Sequence, residues 1–114
     1  MIQLYMSLID DEQDKLRFEI AYYKYRNLLH YKARSILKDE HRAEDAVQEV
    51  FMRIAKNFHK VGDINSPQTR NFFVLITERV ALNIAEREER FKTASEEELY
   101  QFHNFHLAEY VEEA

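Results

Sequence analysis

Hydrophobic residues recur every three or four positions along most of the chain, which is the spacing of one face of an α-helix. A first series spans about six turns and a second follows the polar residues 38–41. Their members are Phe18, Tyr22, Tyr25, Leu29, Ala33 and Ile36, then Ala43, Val47, Val50, Phe51, Ile54 and Phe58. A third helix is expected from near Asn71, and its first half is apolar almost all round, so we expect it to be buried on most sides. No segment alternates like a β-strand, so the pattern predicts an all-α, compact helical bundle.

The only glycine and the only proline of the chain, Gly62 and Pro67, lie in one segment, residues 59–70. Glycine adopts backbone angles that other residues avoid, and proline removes a hydrogen-bond donor, so this segment is predicted to be the loop between the second and third helices. Composition alone favours an ordinary connection in which Asn65 or Ser66 caps the third helix ahead of Pro67. A binding loop is the alternative.

The outer face of the second helix, opposite its apolar series, carries Asp45, Gln48, Glu49, Met52 and Lys56. Such a face is often simply solvated. A methionine among carboxylates also suits a docking surface for a basic, partly apolar helix, and the pattern leaves both interpretations open. Because nothing nearby supplies a nucleophile or a ligand set, we do not expect these acids to serve catalysis or metal binding.

Charge is distributed unevenly along the chain, whose net charge is −5. Residues 1–58 balance to zero, residues 59–92 carry +1, and residues 93–114 carry six glutamates without any Lys or Arg. The acidity that argues against a nucleic-acid partner therefore belongs to the tail alone. We expect a helical domain over residues 1–92 and an acidic linker or tail over residues 93–114, where Ser95 and Glu98 form a capping-box pattern that indicates a short helix.

Several classes of protein are disfavoured. The chain has no cysteine, no long apolar run and nothing like a signal peptide, so we expect a soluble, cytoplasmic protein without a membrane partner. It has no Gly-rich phosphate loop and no Ser/His/Asp or Cys/His arrangement, so we expect neither an enzyme nor a cofactor. His103 and His106 lack further ligands in register, the remaining histidines are scattered, and no metal site is expected.

The segment AEDAVQEVFMRIAKNF resembles region 2 of bacterial RNA polymerase sigma factors, in the form typical of the extracytoplasmic-function group. The matching residues are Glu44, Asp45, Val47, Gln48, Glu49, Val50 and Phe51. The flanking helices are also similar, so the resemblance covers about residues 15–92. It implies that the second helix docks on an arginine-rich coiled coil of the largest subunit of core RNA polymerase. Asp45 and Glu49 would be the charge partners, while Gln48 would hydrogen bond and Met52 would pack.

The resemblance also implies that the loop and the third helix hold single-stranded promoter DNA of the minus-ten element, with a flipped base in a pocket. The expected DNA-binding residues are Lys60, Asn65, Ser66, Arg70, Phe72, Arg79, Asn83 and Arg87. Phe72 stands where the family often has Trp. Three departures weaken this expectation: Arg79 stands where the family tends to have Asn, Leu75 replaces a position that is often basic, and three glutamates dilute the basic run over residues 86–90.

The alternative function is a stand-alone sigma-like interaction domain, which binds polymerase or an anti-sigma factor without reading a promoter. In sigma factors an acidic linker follows region 2 and leads to a second DNA-binding domain, which often starts with a run like VEEAL. Because this chain ends in YVEEA, we expect a longer natural protein that continues into such a domain.

Overall fold

A computed structural model describes the backbone of residues 1–113 and the side chains of residues 1–92. Over these residues the chain forms four α-helices, α1 (Ile2–Met6), α2 (Glu12–Leu37), α3 (Glu40–Lys56) and α4 (Pro67–Glu113), with a 3-10 helix at Phe58–Lys60. The described backbone contains no strand, which confirms the prediction of an all-α fold. Among the described residues, no helix has the length and apolar character needed to cross a bilayer.

The predicted third helix and the short helix expected in the tail are parts of one helix, α4. The chain divides into two compact units, Met1–Asn83 and Ile84–Ala114, and the surfaces described below belong to the first of them. The domain boundary expected at residue 92 stays a prediction.

Polar residues set the boundary between α2 and α3. The Asp11 carboxylate caps the start of α2 by accepting hydrogen bonds from two backbone N–H groups of the first turn, at 2.8 and 3.0 Å. Lys38 ends α2 in the left-handed conformation, with φ at 56°. Asp39 then caps α3 by accepting from the Arg42 N–H at 3.0 Å, and the same hydrogen bond lowers the pKa of the Asp39 carboxyl. Two residues therefore suffice to reverse the chain.

Aromatic rings fill the space between α1, α2 and α3. Phe18 lies edge-on to Phe58 with ring centroids 5.5 Å apart, and Phe51 lies 4.8 Å from the ring of Tyr22. Tyr5 of α1 contacts the same cluster, with its ring centroid 6.0 Å from that of Phe18. Aromatic pairs in these geometries add to the free energy of burying their area. The predicted apolar series supply most of this core, since nine of their twelve residues are buried, while Tyr22, Ile36 and Val47 are half-buried.

Helix α4 packs on α2 through one face only. Its buried residues before Asn83 are Thr69, Phe73, Thr77, Val80 and Ala81. Tyr25 of α2 lies edge-on to Phe73 at 5.3 Å between ring centroids, and Lys32 forms an ion pair with Glu78 at 3.0 Å. In contrast, Phe72, Leu75 and Leu82 are 42 to 52% exposed. The expectation that this segment is buried on most sides was wrong, because the helices that pack on α4 cover only one face of it.

Candidate functional site

The four residues expected to bind polymerase line one open groove between α1 and α3. Asp45 and Gln48 are exposed, and Glu49 and Met52 are half-buried. The groove has a volume of about 460 Å³ and also contains Met1, Leu4, Tyr5, Arg53 and Lys56. We call it the α1–α3 groove. Since the four side chains lie on successive turns of α3 and reach solvent, the groove offers two carboxylates, an amide and a thioether to a partner.

The two carboxylates of the α1–α3 groove have different local environments. Glu49 accepts a hydrogen bond from Arg53 Nη2 at 2.7 Å, one helical turn further along α3. Asp45 lies one turn earlier and is exposed. A cationic partner would therefore meet Asp45 directly and would compete with Arg53 for Glu49.

Helix α1 forms the apolar wall of the groove, and the sequence analysis missed it. Met1 and Leu4 are 58% and 49% exposed there, while Tyr5 and Ile9 are buried against the rest of the unit. A signal was available, because Ile2, Tyr5 and Ile9 follow the helical spacing. The segment is only five residues long, and so short a helix depends on tertiary packing for its stability.

The loop between α3 and α4 is held down by side chains from α2. Arg17 donates to the backbone oxygens of Val61 and Gly62, at 3.0 and 2.5 Å, and its guanidinium lies 5.0 Å from the ring centroid of Phe58. The buried hydroxyl of Tyr25 donates to the backbone oxygen of Ile64. Burial raises the pKa of the Tyr25 hydroxyl. The loop backbone is therefore fixed in position by the core of the unit.

Within this loop the polar residues have structural partners. Ser66 Oγ accepts from the Thr69 N–H at 3.1 Å, directly before Pro67 at the first position of α4, so Ser66 caps α4. The carboxamide oxygen of Asn65 accepts from Lys24 Nζ at 2.6 Å. Gly62 has no positive φ, and a Cβ there would meet no atom within 4 Å. The turn therefore does not require glycine, and the space beside Gly62 stays open.

A second groove lies between the end of α3, the 3-10 helix and α4. It has a volume of about 320 Å³, and we call it the α3–α4 groove. Three of the residues expected to bind DNA line it: Lys60, Phe72 and Arg79. The sequence pattern did not point to the other lining residues, which are Arg53, Ile54, Asn57, Val61 and Ile76. The groove combines cationic side chains, an amide and an exposed aromatic ring. These are the groups that bind an unstacked base and its phosphates.

The remaining residues expected to bind DNA lie outside the α3–α4 groove. Asn65 and Ser66 lie in the loop, Arg70 is exposed in the first turn of α4, and Asn83 and Arg87 are exposed further along α4. Glutamates surround Arg87 in the sequence, so positive charge in that part of α4 is diluted.

The described side chains also include one group with the residue types of a metal site, His30, Glu40 and Glu44, whose ligand atoms lie within 4.8 Å of one another. His30 looks isolated in the sequence, because α2 and α3 bring these residues together only in the fold. Both carboxylate oxygens of Glu40 already have partners, since His30 Nε2 lies 3.1 Å from one and Arg34 Nη1 lies 3.3 Å from the other. The group therefore ties α2 to the start of α3.

Comparison with protein families matches the chain to sigma-70 region 2 over residues 21–91. The match covers 71 of the 114 residues and includes most of α2, all of α3, the loop and the first half of α4. Comparison with curated proteins and with solved structures gives no match. With its helices, its outer α3 face and its loop in the matched range, the chain belongs to the sigma-70 region 2 family of transcription initiation factors.

Proposed function

We propose that this sigma-70 region 2 domain binds core RNA polymerase through the α1–α3 groove. Domains of this family bind polymerase and promoter DNA in general. The observation that carries the proposal is that Asp45, Gln48, Glu49 and Met52 line one groove that is open to solvent. An amphipathic cationic helix lying there would place arginines on Asp45 and Glu49. Its apolar side chains would contact Met52 and Leu4.

The carboxylates would supply most of the specificity of this docking. Hydrogen bonds between charged groups contribute about 1.5–3 kcal/mol each, and a bidentate arginine adds geometric selection. Because Asp45 is exposed, its contribution depends on how much water the partner displaces and falls with salt. The apolar wall from α1 would bury area that does not depend on salt.

The docking proposal is tested by reversing both charges, with the double variant Asp45→Lys and Glu49→Lys in the 114-residue chain. We expect it to lose retention on immobilised core polymerase while its far-ultraviolet circular dichroism stays helical. The matched control is Asp10→Lys with Glu19→Lys, which makes the same change in net charge at exposed positions outside the groove. Normal retention of the groove variant, or equal loss by both, contradicts the assignment of the groove.

For promoter DNA we propose that the loop and the α3–α4 groove hold the single-stranded minus-ten element. Phe72 is 52% exposed at the groove and offers a stacking surface for a base. Lys60 and Arg79 line the same groove and would meet phosphates. The α2 contacts that hold the loop support this proposal, because a preorganised site loses less entropy on binding.

The other predicted DNA residues would act unequally. The hydroxyl of Ser66 is used in capping α4, so we assign Ser66 to shaping the loop. Asn65 keeps its amide hydrogens for a base edge, since its bond to Lys24 uses the carboxamide oxygen. Arg70, Asn83 and Arg87 would add attraction to the DNA backbone.

The DNA proposal is tested by fluorescence anisotropy with a labelled single-stranded minus-ten oligonucleotide and core polymerase. We expect Phe72→Ala to weaken DNA binding by about 1–3 kcal/mol, the range for one stacked base. Leu82→Ala is the matched control, because Leu82 is an exposed apolar residue of α4 outside the groove. If Phe72→Ala binds DNA like the unaltered chain, the stacking role of Phe72 is contradicted. If the unaltered chain binds polymerase without binding this oligonucleotide, the alternative is favoured, in which the domain binds polymerase without reading a promoter.

A further inference from the structure

Arg53 lies on the wall that separates the two grooves. Its side chain is exposed in the last turn of α3 and lines both the α1–α3 groove and the α3–α4 groove. A long guanidinium side chain at such a position reaches either side by rotation about its own side-chain bonds. No backbone movement is needed.

In the structure Glu49 holds Arg53 on the polymerase side. The ion pair joins Arg53 Nη2 to Glu49 Oε1 at 2.7 Å, one helical turn apart. Glu49 is also one of the two carboxylates to which the proposed function assigns a polymerase arginine. The same carboxylate therefore serves an internal cation before docking and an external cation after it.

We propose that Arg53 is a further DNA-binding residue, and that Glu49 retains it until a cationic group of the polymerase occupies that carboxylate. The inference rests on the proposed function. After docking, the Arg53 guanidinium turns into the α3–α4 groove and contacts a DNA phosphate beside Lys60 and Arg79.

Electrostatics on both sides favour this exchange. An exposed ion pair between residues four apart on a helix is weak, so Glu49 gives up Arg53 at little cost. A second cation arriving at Glu49 repels the guanidinium of Arg53. In the α3–α4 groove the positive charges of Lys60 and Arg79 repel the guanidinium of Arg53 as long as no phosphate is present. Once a phosphate binds there, all three cations attract it. By linkage, DNA in its groove also strengthens the binding of polymerase at Glu49.

The test measures binding of a labelled single-stranded oligonucleotide to the 114-residue chain without polymerase, over a series of salt concentrations. Glu49→Gln releases Arg53 and is expected to raise affinity about twofold, given the weakness of such pairs. It is also expected to steepen the dependence of log K on log salt by about 0.7, the increment for one phosphate contact on a single strand. The matched control is Asp45→Asn, which removes the same charge one turn before Glu49 and about two turns before Arg53.

A second arm removes the arginine. In the Arg53→Gln background, Glu49→Gln is expected to raise the affinity for the oligonucleotide by no more than Asp45→Asn does. The slope of log K against log salt is expected to stay unchanged. With core polymerase present, Arg53→Gln alone is expected to lower the slope by about 0.7, whereas Arg53→Lys keeps it.

Equal effects of Glu49→Gln and Asp45→Asn, or a gain that persists in the Arg53→Gln background, would overturn the role of Arg53 and leave the DNA proposal intact. Absence of any gain in Glu49→Gln at low salt overturns it as well. Failure of the proposed function would be seen separately, as normal retention of the charge-reversed groove variant on polymerase.

Discussion

Tyr25 connects the core to the loop, and removal of its hydroxyl is the most direct test of how the loop is held. Tyr25 is 3% exposed, and its hydroxyl donates to the backbone oxygen of Ile64, a residue that is itself only 7% exposed. In Tyr25→Phe the ring keeps its edge-on contact with Phe73, so the change removes a hydrogen bond without creating a large cavity. A net hydrogen bond is worth about 0.5–1.5 kcal/mol, and an acceptor left buried costs about 1–3 kcal/mol. We expect a loss of about 1–2 kcal/mol in the free energy of unfolding.

Urea unfolding followed by circular dichroism measures this loss. With a slope of about 1.5 kcal/mol/M, the expected decrease in the midpoint is roughly 1 M urea at unchanged slope. Tyr31→Phe is the matched control, because Tyr31 is 73% exposed. Its free energy of unfolding is expected to change by less than about 0.5 kcal/mol. Equal midpoints for Tyr25→Phe and the unaltered chain would refute the reasoning. Amide exchange in residues 61–66 is expected to accelerate only in Tyr25→Phe.

Four further predictions concern the described unit. Burial raises the pKa of Tyr25 and Tyr5, so the folded state binds these protons more tightly. The contribution of these two tyrosines to the free energy of unfolding should therefore be constant below about pH 10 and fall above it, less steeply in Tyr25→Phe, in urea titrations at each pH. Lys38→Gly should raise the free energy of unfolding by up to about 1 kcal/mol, because Lys38 has a left-handed backbone, with φ at 56°, that glycine adopts at no cost. The gain should be seen as a higher melting temperature, and a lower one contradicts this reasoning. Ser66→Ala should lose about 1 kcal/mol in urea unfolding by removing the cap of α4, whereas Ser66→Asp should keep it. Phe51→Ala should lose about 3–5 kcal/mol and retain little cooperative unfolding, since its ring contacts three others; near-normal stability would contradict the core assignment.

Predictions from periodicity succeeded for the amphipathic helices α2 and α3. They failed for α4, whose burial depends on how many other helices cover it. Phe18, Leu29, Val50 and Phe51 are buried as their spacing indicated. The same reasoning overestimated the burial of α4, because a pattern identifies an apolar segment without saying how many helices cover it. Leu82 is exposed for this reason. Helix α1 was not predicted, because its apolar pattern is too short to indicate a helix by itself. The helix is stabilised by the contact of Tyr5 with the aromatic cluster, which exists only in the fold.

The candidate site divides in the same way. Spacing along α3 was sufficient to put Asp45 and Glu49 on one face, because residues four apart on a helix are neighbours. Spacing could not show that α1 walls this face, or that Arg53 lies between two grooves. The sequence suggested two uses for Ser66, and the structure shows it capping α4.

By itself, the sequence determined the helical class, the core faces of α2 and α3 and the position of the connecting loop, because these follow from short-range periodicity and from the placement of Gly62 and Pro67. Only the tertiary structure decided which surfaces become grooves, which side chains hold the loop and which charges compete for Glu49. These properties depend on distances between residues that are far apart in the chain, such as the bond from Tyr25 to Ile64. Local spacing carries no information about such distances.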